Sequence, residues 1–169
     1  MEFTLRNWKM QDAEALVRHA DNPNIARNLR NVFPNPYTRS DAEGYIQMCL
    51  TADETAQISY AIDVNGEAVG SIGVFFGADV YCKSAELGYW LSEAYWGQDI
   101  MSRAAGQICR EAFAKFDIVR IFAEPFADNT ASRRVLEKAG FALEGIMKSG
   151  VFKNGELHDY CMYALVRTR

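Results

Sequence analysis

Only two of the 169 residues are histidine and four are cysteine. The cysteines (Cys49, Cys82, Cys109, Cys161) stand far apart with no C-x-x-C pair, and adding His19 and His158 produces no metal-ligand spacing. A reduced protein without metal is the expectation. Net charge is also small: 18 basic against 22 acidic residues leave a formal −4 and a pI near 5.2. No basic stripe is evident, which counts against a general nucleic-acid binder. No apolar run approaches the roughly 18 residues that span a bilayer. The opening "MEFTLRNWKM" has no apolar stretch of the signal-peptide kind. Repeats, low-complexity tracts and linkers are missing as well. No G-x-G-x-x-G follows the first strand, which disfavours a Rossmann-type nucleotide enzyme. These absences leave a single cytoplasmic domain over residues 1–169 as the expectation, with no membrane partner.

What is present is ordinary for a globular chain: 49% hydrophobic and 24% charged residues, at a length that can bury its own core. "FTLRNW" alternates as a strand and "QDAEALVRHA" follows as a helix. "PNPYTRSDAEGYIQMCL" is a turn leading to a second helix, capped by Thr38 or Ser40. "QISYAIDV" and "EAVGSIGVFF" are strands joined at Asn65-Gly66, a hairpin signal. "SAELGYWL" is a further strand. Over 97–116, Ile100, Ala104, Ile108, Ala112 and Phe116 recur every four residues beside the row Met101, Ala105, Cys109 and Phe113, which predicts a helix with a broad buried face. Arg103, Gln107 and Arg110 lie outside that face. "VRIFAEP" is a strand stopped by Pro125. "NTASRRVLEKAGF" is a helix ending at Gly140, where Phe141 can fold back onto Leu136. "FALEGIMKSGVF" and "LHDYCMYALV" flank a second hairpin turn at Asn154-Gly155. The order predicts an α/β (α+β) fold: a mixed, mostly antiparallel sheet of about seven strands with about four helices. A right-handed crossover should make one parallel pair of strands 84–91 and 119–124.

Three blocks in order, "ELGYWLSEAYWGQDIMSRA", "ADNTASRRVLEKAGFALEG" and "VFKNGELHDYCMYAL", resemble the GNAT superfamily of acetyl-CoA-dependent N-acetyltransferases. Within it the chain is similar to the RimJ/RimL-like branch that acetylates ribosomal-protein N-termini. The resemblance covers essentially the whole chain, including "PYTRSDAEGYI". It implies the GNAT fold with the parallel pair splayed, acetyl-CoA as co-substrate and no metal. It further implies that the strand end Tyr89, Trp90 and Leu91 pairs with the pantetheine arm. Trp96, Gly97, Gln98, Asp99, Ile100 and Met101 match the diphosphate loop, and Asn129 and Ser132 match the pair near the pantetheine and the sulfur. Asp99 stands where the family usually has glycine. An aspartate adds a Cβ and a charge, yet tolerates left-handed backbone better than most residues. Arg103, one turn on, occupies a position where this branch often has Glu. Drift in a degenerate site and a compensated charge exchange both remain open.

Acetyl transfer needs a neutral amine, donors for an oxyanion and a proton for the departing thiolate. Glu86 resembles the strand carboxylate of the family and is the first candidate base, with Glu124 and His158 as others. The position seven residues after Asn129, where many superfamily members carry a catalytic tyrosine, is Leu136. Ser132 resembles the hydroxyl that replaces that tyrosine. Phe33, Tyr37 and Phe152 are candidate apolar walls for the acceptor. The expected acceptor is a primary amine, first of all a protein or peptide N-terminus. A polyamine, an antibiotic or an amino acid stands as the alternative, as does a non-catalytic CoA-binding module. A monomer and a homodimer both fit.

Overall fold

The computed structural model describes residues 1–167. Its seven strands are β1 (Thr4–Arg6), β2 (Gln57–Val64), β3 (Glu67–Phe76), β4 (Ser84–Leu91), β5 (Arg120–Ala123), β6 (Ala142–Lys153) and β7 (Glu156–Val166). The α-helices are α1 (Ala13–Ala20), α2 (Pro23–Ala26), α3 (Arg39–Thr51), α4 (Ile100–Lys115) and α5 (Thr130–Lys138). The strand order is β1-β2-β3-β4-β5-β7-β6. β4 and β5 run parallel, from Ser84↔Arg120 to Glu86↔Phe122, whereas the β1–β2, β5–β7 and β6–β7 pairs are antiparallel. β4 continues past this register to Leu91, so the parallel pair parts earlier than Pro125, where the sequence suggested the strand would stop.

Local chemistry accounts for most element boundaries. At both hairpin turns the asparagine takes a positive φ (Asn65 55°, Asn154 52°), as mirror-image turns require. Thr38 caps α3: its Oγ1 accepts from the Asp41 N–H, and the Asp41 carboxylate accepts from the Thr38 N–H at 2.8 Å. At the end of α5, Gly140 has φ 94°, its N–H donates to the Glu137 carbonyl, and the Phe141 N–H donates to the Leu136 carbonyl at 3.0 Å. Leu136 and Phe141 are both buried. Together these make the complete left-handed helix cap that the Ala-Gly-Phe run suggested. The expected stripe of α4 is buried from Ile100 through Ala112, while Arg103, Gln107 and Arg110 are exposed. Two departures from expectation stand out. α4 starts at Ile100 rather than at 97, because two of the three preceding residues are left-handed. The single turn α2 was not anticipated; Pro23 opens it and the Asn22 side chain caps it by accepting from the Asn24 N–H at 2.8 Å.

The chain forms two compact units. The first comprises Met1–Gly73 with Tyr89–Ile100. Trp8, Leu16, Tyr37, Ile46 and Trp90 belong to its core. Beside them Arg6 donates through Nε to Asp63 at 2.6 Å and through both terminal nitrogens to Asp12 at 2.8 and 2.9 Å. Asp63 also accepts from the Gly66 N–H, tying β2 to its own turn. Burial pushes the Asp12 carboxyl up, but the Arg6 guanidinium and the Lys9 N–H outweigh it and hold the group below the usual carboxylate range.

The second unit comprises Val74–Gly88 and the described residues from Met101 onward. The β5–β7 ladder and the long β6–β7 hairpin dominate it. Tyr163 is fully buried; its hydroxyl donates to Glu137 at 2.8 Å and accepts from Arg133 Nε at 3.1 Å. Among the described residues no helix is long and apolar enough to cross a membrane.

Candidate active site

In the first unit, Trp90 and Leu91 are buried at the end of β4 and Tyr89 is half-buried. The backbone then turns sharply. The Ser92 N–H donates to the Val69 carbonyl at 2.8 Å, and Glu93–Tyr95 form a 3-10 turn. The Trp96 indole N–H reaches back to the Leu91 carbonyl at 2.8 Å, closing a ring of chain from strand end to loop. Gly97 and Asp99 are exposed and take φ values of 73° and 56°. The glycine-like backbone expected at position 99 is therefore present, and aspartate supplies it. Left-handed geometry costs most residues about 1–2 kcal/mol, and Asp is among the few that visit it. Gln98 donates to the Ala94 carbonyl at 3.3 Å, and Ile100 is buried where α4 begins. The four leading N–H groups of a helix lack intrahelical partners and favour an anion. Met101, the next residue of α4, is buried.

In the second unit, the segment after β5 is held by backbone bonds. Cys161 N–H donates to Pro125 O at 2.8 Å, Ala127 N–H to Asp159 O at 2.9 Å, and Asn129 N–H to Phe126 O at 3.0 Å. Asn129 is the N-cap of α5, its side-chain oxygen accepting from the Ser132 N–H at 3.2 Å. The two residues paired by resemblance are thus joined directly. Arg133 donates to the Ala127 carbonyl at 3.1 Å, fixing the approach to the helix. Leu136 is fully buried and serves the helix end, so no hydroxyl arises from that position.

The three candidate bases all belong to the second unit. Glu86 is half-buried at the last parallel register position, opposite Phe122. Glu124 is half-buried just beyond β5. The His158 ring stacks on Phe126 (centroids 5.8 Å apart, planes 13° apart), with Nδ1 3.9 Å from an Asp128 oxygen, too far for a hydrogen bond. Of the expected acceptor walls, Phe33 and Tyr37 pack together in the first unit at 5.1 Å, and Phe33 meets Trp90 edge-on at 5.9 Å. Tyr37 is core rather than wall: it is buried, and burial pushes its hydroxyl up to about 12. Phe152 belongs to the second unit and is exposed. Among the described residues no group of three or more His, Cys, Asp or Glu is placed to hold a metal ion.

Residues the sequence reading did not single out surround the stem of the 96–101 loop. His19 bonds Ser92 Oγ at 2.9 Å and Glu67 at 2.6 Å. Asn22 and Asn24 both donate to the Glu93 carboxylate, at 2.7 and 3.1 Å. These contacts join positions 48 to 73 apart, and no local pattern announces them.

The chain has a mixed sheet with one parallel pair of three register positions, a left-handed loop opening a helix, and an Asn-capped helix after β5, and a solved acetyltransferase matches this fold along 98% of the chain. A model of the acetyltransferase (GNAT) domain matches residues 2–142, and the chain belongs to that family. It is an acyltransferase that moves an acetyl group from acetyl-CoA to an amine nitrogen. The chain is similar to the uncharacterized N-acetyltransferase YoaA of Bacillus subtilis (strain 168), 30% identical over 168 residues that cover 98% of this chain and 93% of the relative. It is similar to the ribosomal-protein-serine acetyltransferase of Escherichia coli (strain K12), 34% identical over 84 residues, half of this chain and 47% of the relative. Among solved structures, RimL, a ribosomal L7/L12 alpha-N-protein acetyltransferase in complex with coenzyme A, matches with a TM-score of 0.86 at 26% identity, covering 98% of this chain and 94% of that one.

Proposed function

We propose that the protein acetylates the α-amine of a protein or peptide N-terminus. The observation that carries this reading is the likeness to RimL along 98% of the chain. Chemistry supports it. An α-amine, with an ordinary pKa of about 7.7, keeps an appreciable neutral fraction near neutrality, whereas a lysine amine at about 10.4 is almost wholly protonated and needs a base. In this reading the backbone of Tyr89, Trp90 and Leu91 meets the pantetheine arm and the thioester. Trp96, Gly97, Gln98, Asp99, Ile100 and Met101 form the diphosphate loop: Trp96 anchors it through its bonds to Glu93 and Leu91, and the N–H groups from Gly97 onward meet the anion. Asn129 orients the start of α5 near the arm.

The amine nitrogen attacks the thioester carbonyl carbon, and a backbone N–H of the β4 end takes the oxyanion. The C–S bond then breaks as the carbonyl re-forms. Ser132 gives its proton to the leaving thiolate, and Glu86 accepts the proton lost by the nitrogen, directly or through water. Thiol release from acetyl-CoA tests the reading on three acceptor sets: peptides with a free N-terminal serine or alanine, N-blocked peptides with one lysine, and polyamines. The free α-amine peptides are expected to react fastest. Faster release on polyamines or blocked lysine peptides overturns the proposal.

A further inference from the structure

The side chains around Ser92 do more than fill space. A serine at the N-cap of a turn ordinarily bonds that turn's own backbone. Ser92 stands at that position of the 3-10 turn Glu93–Tyr95, yet its side chain makes no capping bond there. Its hydroxyl is only 2.9 Å from Nδ1 of His19 in the last turn of α1, and Ser92 is 5% exposed. The other ring nitrogen lies 2.6 Å from a Glu67 oxygen at the start of β3, which Arg18 also approaches at 3.3 Å. A carboxylate only accepts, so Nε2 donates to Glu67 while Nδ1 shares a hydrogen bond with the Ser92 hydroxyl. The Tyr95 ring meets the imidazole edge-on at 6.1 Å. One ring thus fixes both ends of the turn that launches Trp96.

We propose that His19 is a positioning residue for the donor, holding the stem of the 96–101 loop through Ser92 so that its N–H groups are set before acetyl-CoA arrives. The proposal rests on the reading that this loop meets the diphosphate. Without the imidazole, Ser92 keeps a buried hydroxyl with no partner at Nδ1, and the turn gains freedom that binding must remove.

Isothermal titration of acetyl-CoA into the unmodified protein, His19→Ala, Ser92→Ala and the double variant tests it. The dissociation constant is expected to rise about tenfold in each single variant, with stoichiometry unchanged. In the double variant it should rise little further, since both changes remove one bond. A purely structural role lowers the folded fraction and hence the stoichiometry, leaving the dissociation constant as it was; that result overturns the proposal. Independent, multiplying effects of the two changes overturn it as well. Should His19→Ala fail to fold, Ser92→Ala removes the same bond from the other end and decides alone. Absence of binding by the unmodified protein overturns the parent reading of the loop along with this one.

Discussion

Two segments proposed to meet acetyl-CoA both carry main-chain bonds but differ in how far distant side chains brace them. The stem at 91–96 has main-chain bonds from Ser92 to Val69 and from Trp96 to Glu93, and side chains from distant positions brace it as well: Trp96 on the Leu91 carbonyl, His19 on Ser92, Asn22 and Asn24 on Glu93. The approach to α5 at 125–129 is held mainly by main-chain bonds to β7 and to itself. Main-chain bonds survive substitution of the residues that make them, proline excepted. Side-chain bonds do not. The first segment is therefore the place where single substitutions retune donor binding, and the second is a stable mount on which reacting groups can change with little disturbance.

The strongest test of that contrast is Ser132→Ala. On a stable mount, losing the hydroxyl should cut turnover roughly 100-fold, as expected for a lost proton donor, while acetyl-CoA affinity stays within about twofold. Steady-state kinetics with titration calorimetry checks this, and equal losses in both would make the α5 start as pliable as the stem. Asp99 comes next. Asp99→Val forces a β-branched residue to φ 56° and should weaken acetyl-CoA binding about tenfold. Asp99→Gly removes a charge beside the proposed diphosphate position and should tighten binding by up to about tenfold. A glycine variant that binds worse would make the carboxylate a required part of the loop. Asn129→Ala deletes the α5 cap at about 1 kcal/mol, which for a chain of this size lowers Tm by about 2–4 °C. A scanning calorimeter reads it, and no shift would show that the main-chain bonds alone hold the helix start. The smallest effect concerns acid. The Asp12 carboxyl lies below its ordinary value of 3.8 in the folded chain. Its contribution is complete above that value and is lost as pH falls through the lower folded one. Thermal stability should therefore decline below about pH 4, with part of that decline absent in Asp12→Asn. An identical acid limb in the variant would overturn the assignment.

Elements were legible where the cause is local. The four-residue stripe of α4, the Asn-Gly turns, the cap of α3 by Thr38 or Ser40 and the Gly140 cap each sit within a few residues of what they determine, and each reappears in the structure, the α3 cap at Thr38. The start of α4 was misplaced because apolar periodicity ignores φ: Gly97 and Gln98 satisfy a helical pattern that a left-handed Gly97 and Asp99 forbid. Asn129 and Ser132 were singled out by the motif around them, and a cap bond joins the two. His19 was passed over because its two partners lie 48 and 73 residues away. A lone histidine in a helix carries no sign of what it will meet. Tyr37 was read as a pocket wall because its segment looked like a loop; in the folded chain its N–H donates to Asp21 and the ring enters the core.

The left-handed backbone at position 99 also governs how this loop changes over generations. The residues that accept such geometry most readily are glycine, asparagine and aspartate. Aspartate codons lie one nucleotide from codons of each of the other two. A lineage can therefore move among all three without passing through a residue that strains the turn. Charge at the mouth of the loop is free to drift while its shape stays fixed, so donor affinity becomes heritable variation that the fold does not resist.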